Sequence, residues 1–96
     1  MLILYYIRWT GTIEELKEYV GRWKSMCEGI EGIDLKGVFS PSSEWNAVLL
    51  FEAVRQWKAV EAYRKLYQKY GPNPKRPVGK AEFLFKFEEK IGQPIL

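Results

Sequence analysis

The sequence predicts a single α+β domain, and two observations lead to this prediction. The first is size, because 96 residues with 47% hydrophobic and 28% charged side chains are typical of one small globular domain. The second is the order of local patterns along the chain, which alternates strand-like and helix-like segments as β-α-β-β-α-β. Each segment has its own local signal.

The first half of the chain reads as a strand, a helix and a hairpin. Residues 1–9 are rich in branched and aromatic side chains, which favour a strand. Thr12 and Glu15 form a capping-box pattern that begins a helix, and Gly29 lies at its end. Residues 32–39 and 45–51 read as two strands, and the five-residue loop between them predicts a hairpin.

The second half reads as a helix, a loop and a fourth strand. The helix is predicted over 54–70, with an apolar stripe that includes Tyr63, Leu66 and Tyr67, and Gly71 and Pro72 end it. The proline-rich residues 72–79 predict a loop, and 80–87 alternate as a strand. The order is the split βαβ pattern of ferredoxin-like folds, with sheet order 4-1-3-2 and both helices on one face. We expect one domain over 1–88 and a tail over 89–96.

Composition excludes several classes of chemistry. The chain has no histidine, and therefore lacks the usual general base and the commonest metal ligand. Cys27 is the single cysteine and falls within the apolar stripe of the first helix, so we expect a buried thiol, no disulfide and no metal site. No apolar run is long enough to span a bilayer. We expect a cytoplasmic protein without a cofactor, and the scarcity of Asn and Gln is compatible with a thermophilic source.

Strand alternation assigns side chains to the two faces of the sheet. The face predicted to lie under the helices is apolar throughout: Ile3, Tyr5, Ile7, Trp9, Ile33, Leu35, Phe39, Trp45, Ala47, Leu49, Phe51, Ala81, Phe83, Phe85 and Phe87. The opposite face mixes apolar and charged side chains: Leu2, Leu4, Tyr6, Arg8, Asp34, Lys36, Val38, Asn46, Val48, Leu50, Glu52, Glu82, Leu84 and Lys86. Burying its aliphatic side chains would contribute on the order of 10 kcal/mol per subunit. We therefore expect a second sheet to cover this face, most simply in a homodimer.

With this second apolar face, the βαββαβ order, and the segment Leu4 to Thr10 leading into the first helix, the chain resembles the dimeric α+β barrel superfamily. The resemblance covers nearly the whole chain and implies two sheets closed face to face around a pocket. Members include cofactor-independent monooxygenases, haem-degrading enzymes and effector-binding domains. The histidines that several branches use are missing here, so the resemblance implies a small binding protein more than an oxygenase-like enzyme, and no catalytic residue is assigned.

The polar side chains of the second face suggest a ligand site. As a hypothesis, a small anionic or carbonyl-bearing molecule is held between the sheets, with Arg8 as a fork-shaped donor. The candidate ligand-binding residues are Tyr6, Arg8, Lys36, Asn46, Glu82 and Lys86. The competing interpretation is structural: Arg8–Glu82 and Asp34–Lys36 are ion pairs that set the register of a dimer.

Charge distribution provides an alternative function. Residues 55–80 hold eight basic side chains and one acidic one, a net charge of +7, whereas the rest of the chain sums to −4. Such asymmetry is typical of surfaces that contact phosphate backbones. The candidate nucleic-acid residues are Lys58, Lys65, Lys69, Lys75 and Arg76. The competing interpretation is an ordinary solvated helix face with a Glu61–Lys65 pair.

Overall fold

The computed structural model describes residues 1–71, the backbone of 78–84, and residues 93–96. Seven elements follow in chain order: β1 Leu2–Arg8, α1 Ile13–Glu28, β2 Ile33–Ser40, β3 Ala47–Ala53, α2 Trp57–Tyr70, β4 Val78–Leu84 and β5 Gln93–Pro94. The α+β class and the two predicted helices are confirmed. In the described part of the chain, no helix is both long and apolar enough to cross a membrane.

The strands form one antiparallel sheet in the order β4-β1-β3-β2-β5. The sequence predicts four strands, whereas the structure adds a fifth at the outer edge of β2. In that pair Phe39 lies opposite Pro94 and Ser40 opposite Gln93, and the Ile95 N–H donates to the Val38 carbonyl at 3.0 Å. Part of the predicted tail therefore docks on the sheet, and Ile95 packs against the core.

Helix α1 begins at the predicted capping box. The Thr12 hydroxyl accepts from the Glu15 N–H at 3.1 Å, and the Glu15 carboxylate accepts from the Thr12 N–H at 3.0 Å. These two bonds satisfy backbone donors that have no partner within the helix. Leu16, Tyr19 and Trp23 are buried along its inner side.

The main core lies between the helices and one face of the sheet. Phe51 on the central strand β3 is almost fully buried, and its ring centroid is 5.1 Å from that of Trp23. Ile3 and Ile7 from β1 join the same cluster, as do Cys27 from α1 and Leu66 from α2. The odd-numbered residues of β1 therefore face the helices, as the alternation predicts.

A β-bulge in β2 reverses part of the predicted facing. The register with β3 shifts between Leu35 and Gly37, so the residues after the bulge point to the opposite side from the one that simple alternation gives. Val38 is buried in the main core, whereas Phe39 packs on the other sheet face. Both assignments in the sequence analysis are wrong for this reason. A Cβ at Gly37 would lie 2.9 Å from the Phe39 ring, so a larger residue at the bulge would require this ring to shift.

Trp45 is also on the face opposite to the predicted one. It precedes the first residue of β3, Ala47, so strand alternation does not govern its direction. Its ring packs edge-on against Tyr6, at a centroid distance of 6.5 Å, on the sheet face away from the helices.

Helix α2 buries less than the sequence predicts. Ala62 and Leu66 are its buried residues, whereas Tyr63 and Tyr67 of the predicted stripe are 37% and 50% exposed. The sequence predicts an apolar stripe on this helix, and a large part of that stripe faces solvent.

Candidate functional site

The sheet face away from the helices holds a second apolar cluster. We call this cluster the sheet-face cluster, and its buried residues are Leu4, Tyr6, Val48 and Leu50. Leu2, Phe39 and Trp45 pack against it and are partly buried. Leu4 and Val48 have no exposed surface within a single chain. Covering these two side chains therefore does not require a second copy, which removes much of the free energy that the sequence analysis assigned to dimerisation.

Arg8 lies at the end of β1 and is engaged by the loop before β3. Its Nη2 is 3.0 Å from Glu44 Oε1, and its guanidinium carbon is 5.6 Å from the centre of the Trp45 ring. Arg8 is predicted from the sequence to pair with Glu82, but the β1–β4 register places Val78 opposite Arg8 and Glu82 opposite Leu4. The side chains of Arg8 and Glu44 are 45% and 63% exposed, so their ion pair contributes little to stability.

Asn46 joins the ends of β1 and β3. Its Oδ1 accepts from the Trp9 N–H at 2.6 Å, and its Nδ2 donates to the Trp9 carbonyl at 2.8 Å. The backbone ladder between the strands ends at Ile7 and Ala47, so this side chain continues the pairing where the backbone stops. Asn46 is therefore a structural link as well as a candidate ligand residue.

Lys36 is held by two carboxylates. Its Nζ lies 3.0 Å from Asp34 Oδ2 and 3.9 Å from Glu52 Oε2. The hydrogen bond to Asp34 and the charge of that carboxylate raise the pKa of Lys36. A lysine base at neutral pH needs a lowered pKa, so this environment works against a catalytic role.

A shallow depression of about 540 Å³ lies near Lys36 at one end of the sheet. Its lining residues are Met1, Gly32, Ile33, Asp34, Lys36, Glu52, Ala53 and Val54. The predicted ligand residues Tyr6, Arg8 and Asn46 do not line it. Of the remaining candidates, Glu82 is placed by its backbone alone, and Lys86 lies outside the described residues.

Helix α2 carries a surface that is both aromatic and cationic. Its exposed rings are Trp57 at 52%, Tyr67 at 50%, and Tyr63 and Tyr70 at 37% each. The same helix carries four basic side chains, and together with the rings they form what we call the α2 surface: Lys58, Arg64, Lys65 and Lys69. Of the candidate nucleic-acid residues, Lys58, Lys65 and Lys69 lie on α2, whereas Lys75 and Arg76 fall outside the described residues.

Cations and rings meet on the α2 surface. The Arg64 guanidinium lies 5.0 Å from the Trp57 ring centre, and Lys69 Nζ lies 5.3 Å from that of Tyr70. Arg22 from α1 approaches the same Tyr70 ring at 4.8 Å, so both helices contribute to this surface. These distances are within the range of cation–π contacts.

Glu61 is the acidic residue within α2. Its carboxylate lies 3.8 Å from Lys58 Nζ and 3.5 Å from Lys65 Nζ, as the predicted Glu61–Lys65 pair requires. Arg64 and Lys69 instead contact aromatic rings, and among the residues that the structure describes neither has a carboxylate within ion-pair distance.

Trp57 and Arg64 are not among the candidate residues predicted from the sequence. A helical projection indicates that Trp57 is exposed. Trp57 precedes the buried Leu66 by nine residues, so the two side chains lie about 180° apart around the helix. Tyr67 follows Leu66 directly and is displaced from it by about 100°.

Comparison of the chain with models of protein families, with curated proteins and with solved structures finds no match in any of the three.

Proposed function

We propose that the chain is a nucleic-acid-binding domain and that the α2 surface is its contact surface. One observation supports this proposal most directly: four basic side chains share α2 with one acidic side chain, on a helix that buries Ala62 and Leu66 and exposes most of its other side chains. Phosphate backbones are the common biological partners of such a surface, because each contact releases condensed counterions.

The α2 surface also favours this function over a ligand site on the sheet. Arg8, Lys36 and Asn46 already have protein partners in Glu44, Asp34 and Trp9. Arg64 and Lys69 rest on rings, and a ring contact leaves the hydrogen-bond donors of a cation able to reach a phosphate oxygen.

The double variant Arg64→Gln/Lys69→Gln tests the proposal. The measurement is fluorescence anisotropy of labelled 20-nucleotide strands and duplexes. The salt concentration is varied from about 50 to about 200 mM, a range over which affinity due to phosphate contacts falls strongly. We expect wild-type affinity to fall steeply with salt, and the double variant to lose about tenfold in affinity and about 1.5 in the log–log slope.

The matched control is Lys17→Gln/Lys24→Gln, which removes the same charge from exposed positions on α1. It should leave both affinity and slope close to wild type. A flat salt response, or an equal loss in both double variants, would exclude α2 as the contact surface.

A second candidate function is that of a homodimeric α+β barrel with ferredoxin-like subunits that binds a small molecule between its sheets, and the apolar surface left beside the sheet-face cluster favours it. Leu2, Phe39 and Trp45 retain exposed surface on the face away from the helices. A carboxylate ligand could recruit Arg8, because its exposed pair with Glu44 costs less than about 1 kcal/mol to displace.

Equilibrium sedimentation at low and high salt tests the dimer. The barrel predicts a salt-insensitive dimer for the wild type and a monomer for Trp45→Lys, since a charge on this face opposes burial against a second sheet. Trp57→Lys makes the same replacement on the helix side and should leave the mass unchanged. A monomeric wild type would contradict the barrel.

A further inference from the structure

We infer that the α2 surface selects single strands over duplexes, by stacking bases on Trp57 and Tyr67. This inference rests on the proposed function and adds the class of nucleic acid. It depends on the exposed rings, whereas the proposed function depends on the charges.

Trp57 and Tyr67 are the most exposed rings of α2, and each is supported on the protein side. Tyr67 stacks on Tyr63 with an interplanar angle of 25° and a centroid distance of 6.5 Å. Trp57 lies against the Arg64 guanidinium at 5.0 Å. Since about half of each side chain remains exposed, both rings have surface available for a base. A ring held by a neighbour also loses less conformational freedom when a base stacks on it.

The two rings are spaced for separate bases. Ten residues of α-helix separate Trp57 from Tyr67, a distance of about 15 Å along the axis. Stacked bases in a duplex follow one another at about 3.4 Å per strand. The rings therefore cannot contact neighbouring stacked bases, and a flexible strand that unstacks its bases is the form that can reach both.

Cations accompany the rings along the same helix. Arg64 lies between the two rings both in sequence and around the helix, three residues before Tyr67 and against the Trp57 ring. A strand whose bases contact Trp57 and Tyr67 thus passes the Arg64 guanidinium, which can reach its phosphates. Rings for bases combined with cations for phosphates are typical of proteins that bind single strands without sequence preference.

A duplex cannot use the rings. Its base faces are stacked inside the helix, and a protein helix in the major groove reads base edges with hydrogen-bonding side chains. The exposed apolar and aromatic positions of α2 include Trp57, Val60, Tyr63 and Tyr67, which have little to offer those edges. A duplex would be contacted by the cations and by Gln68 and not by the ring faces, so the rings should contribute selectivity for single strands.

The experiment compares a labelled 20-nucleotide thymidine strand with a duplex of equal length, by anisotropy at one fixed salt concentration with the full chain. We expect the wild type to prefer the single strand by at least about tenfold, and Trp57→Ala and Tyr67→Ala each to reduce single-strand affinity by about tenfold. Affinity for the duplex should change by less than about twofold, since the rings do not contact its bases.

Two controls separate stacking from loss of structure. Tyr67→Phe keeps the ring and should bind like the wild type. Ile13→Ala truncates an exposed apolar side chain on α1 and should also have no effect. Quenching of tryptophan fluorescence by the unlabelled strand should be reduced in Trp57→Ala, because Trp57 is exposed, whereas Trp9 and Trp23 are buried and Trp45 is partly buried.

The outcomes distinguish the single-strand inference from the proposal that the α2 surface binds nucleic acid. Equal binding of strand and duplex, with Tyr67→Ala unchanged, would overturn the single-strand inference and leave nucleic-acid binding by α2 intact. Binding of neither would overturn both. A concentration-dependent mass that Tyr67→Ala abolishes, without any binding of the strand, would assign the α2 surface to self-association and overturn the inference.

Discussion

Replacement of Asn46 by alanine is expected to lower the free energy of unfolding by about 2–4 kcal/mol. The variant removes both the acceptor for the Trp9 N–H and the donor to the Trp9 carbonyl. Trp9 is 7% exposed, so water reaches its backbone poorly. Each buried backbone group left without a partner costs about 1–3 kcal/mol. Urea denaturation followed by circular dichroism measures the effect.

Two variants make the Asn46 measurement specific. Asn46→Asp retains the acceptor and loses the donor, so it should fall between wild type and Asn46→Ala. Ser43→Ala, at an exposed position in the same loop, should change stability by less than about 0.5 kcal/mol. A loss below about 0.5 kcal/mol for Asn46→Ala would mean that the Trp9 backbone groups find other partners.

The Cys27 thiol is expected to react with a thiol reagent at pH 8 at least about 100-fold more slowly in the native protein than in the denatured chain. Cys27 is 3% exposed and lies in the main core. Burial, with smaller contributions from the charges of Asp34 and Glu28, raises its pKa from 9.0 to about 11. Both access and the thiolate fraction are therefore reduced.

The control for the reactivity of Cys27 is a thiol at an exposed position of the same helix. The double variant Cys27→Val/Ser25→Cys provides this thiol, since Ser25 is exposed. That thiol should react at the rate of the denatured chain. Equal rates for the wild type and the double variant would show that α1 opens readily or that the thiol is accessible.

The raised pKa of Cys27 also predicts the direction of a pH dependence. The folded chain retains the thiol proton to higher pH than the unfolded chain does, so the unfolded state binds fewer protons between about pH 9 and 11. Stability due to Cys27 is present below pH 9 and is lost as pH rises through the folded pKa. Cys27→Val should therefore show a shallower alkaline decline than the wild type in urea titrations.

Local signals in the sequence predicted most of the elements. The Thr12 capping box begins α1 as expected, because the hydroxyl and the Glu15 carboxylate act within one turn and need no tertiary context. Alternation placed Ile3 and Leu4 on opposite faces correctly. The facing of Val38 and Phe39 could not be predicted this way, since one extra residue in the bulge reverses the parity and the periodicity of a sequence does not reveal where it occurs.

The candidate site was predicted less well than the fold, because its contacts join residues distant in sequence. The partner of Arg8 is Glu44, in a loop whose path follows from no local rule. The amphipathic pattern of α2 was recognised, but how much of its stripe faces solvent depends on how the helix packs on the sheet. That packing buries Ala62 and Leu66 and leaves Tyr67 half exposed.

The outer edge of β2 is covered in part by β5, and this has a consequence for solubility. An open edge strand offers unpaired backbone groups to other chains and promotes aggregation. Residues 93–95 occupy this edge from Val38 to Ser40, and Pro94 has no N–H to offer a further strand. On the other half, the bulge and the charged pair Asp34–Lys36 interrupt a regular edge. The two halves of β2 are thus protected by different means, and a truncation before residue 93 would convert a covered edge into a template for intermolecular β-pairing.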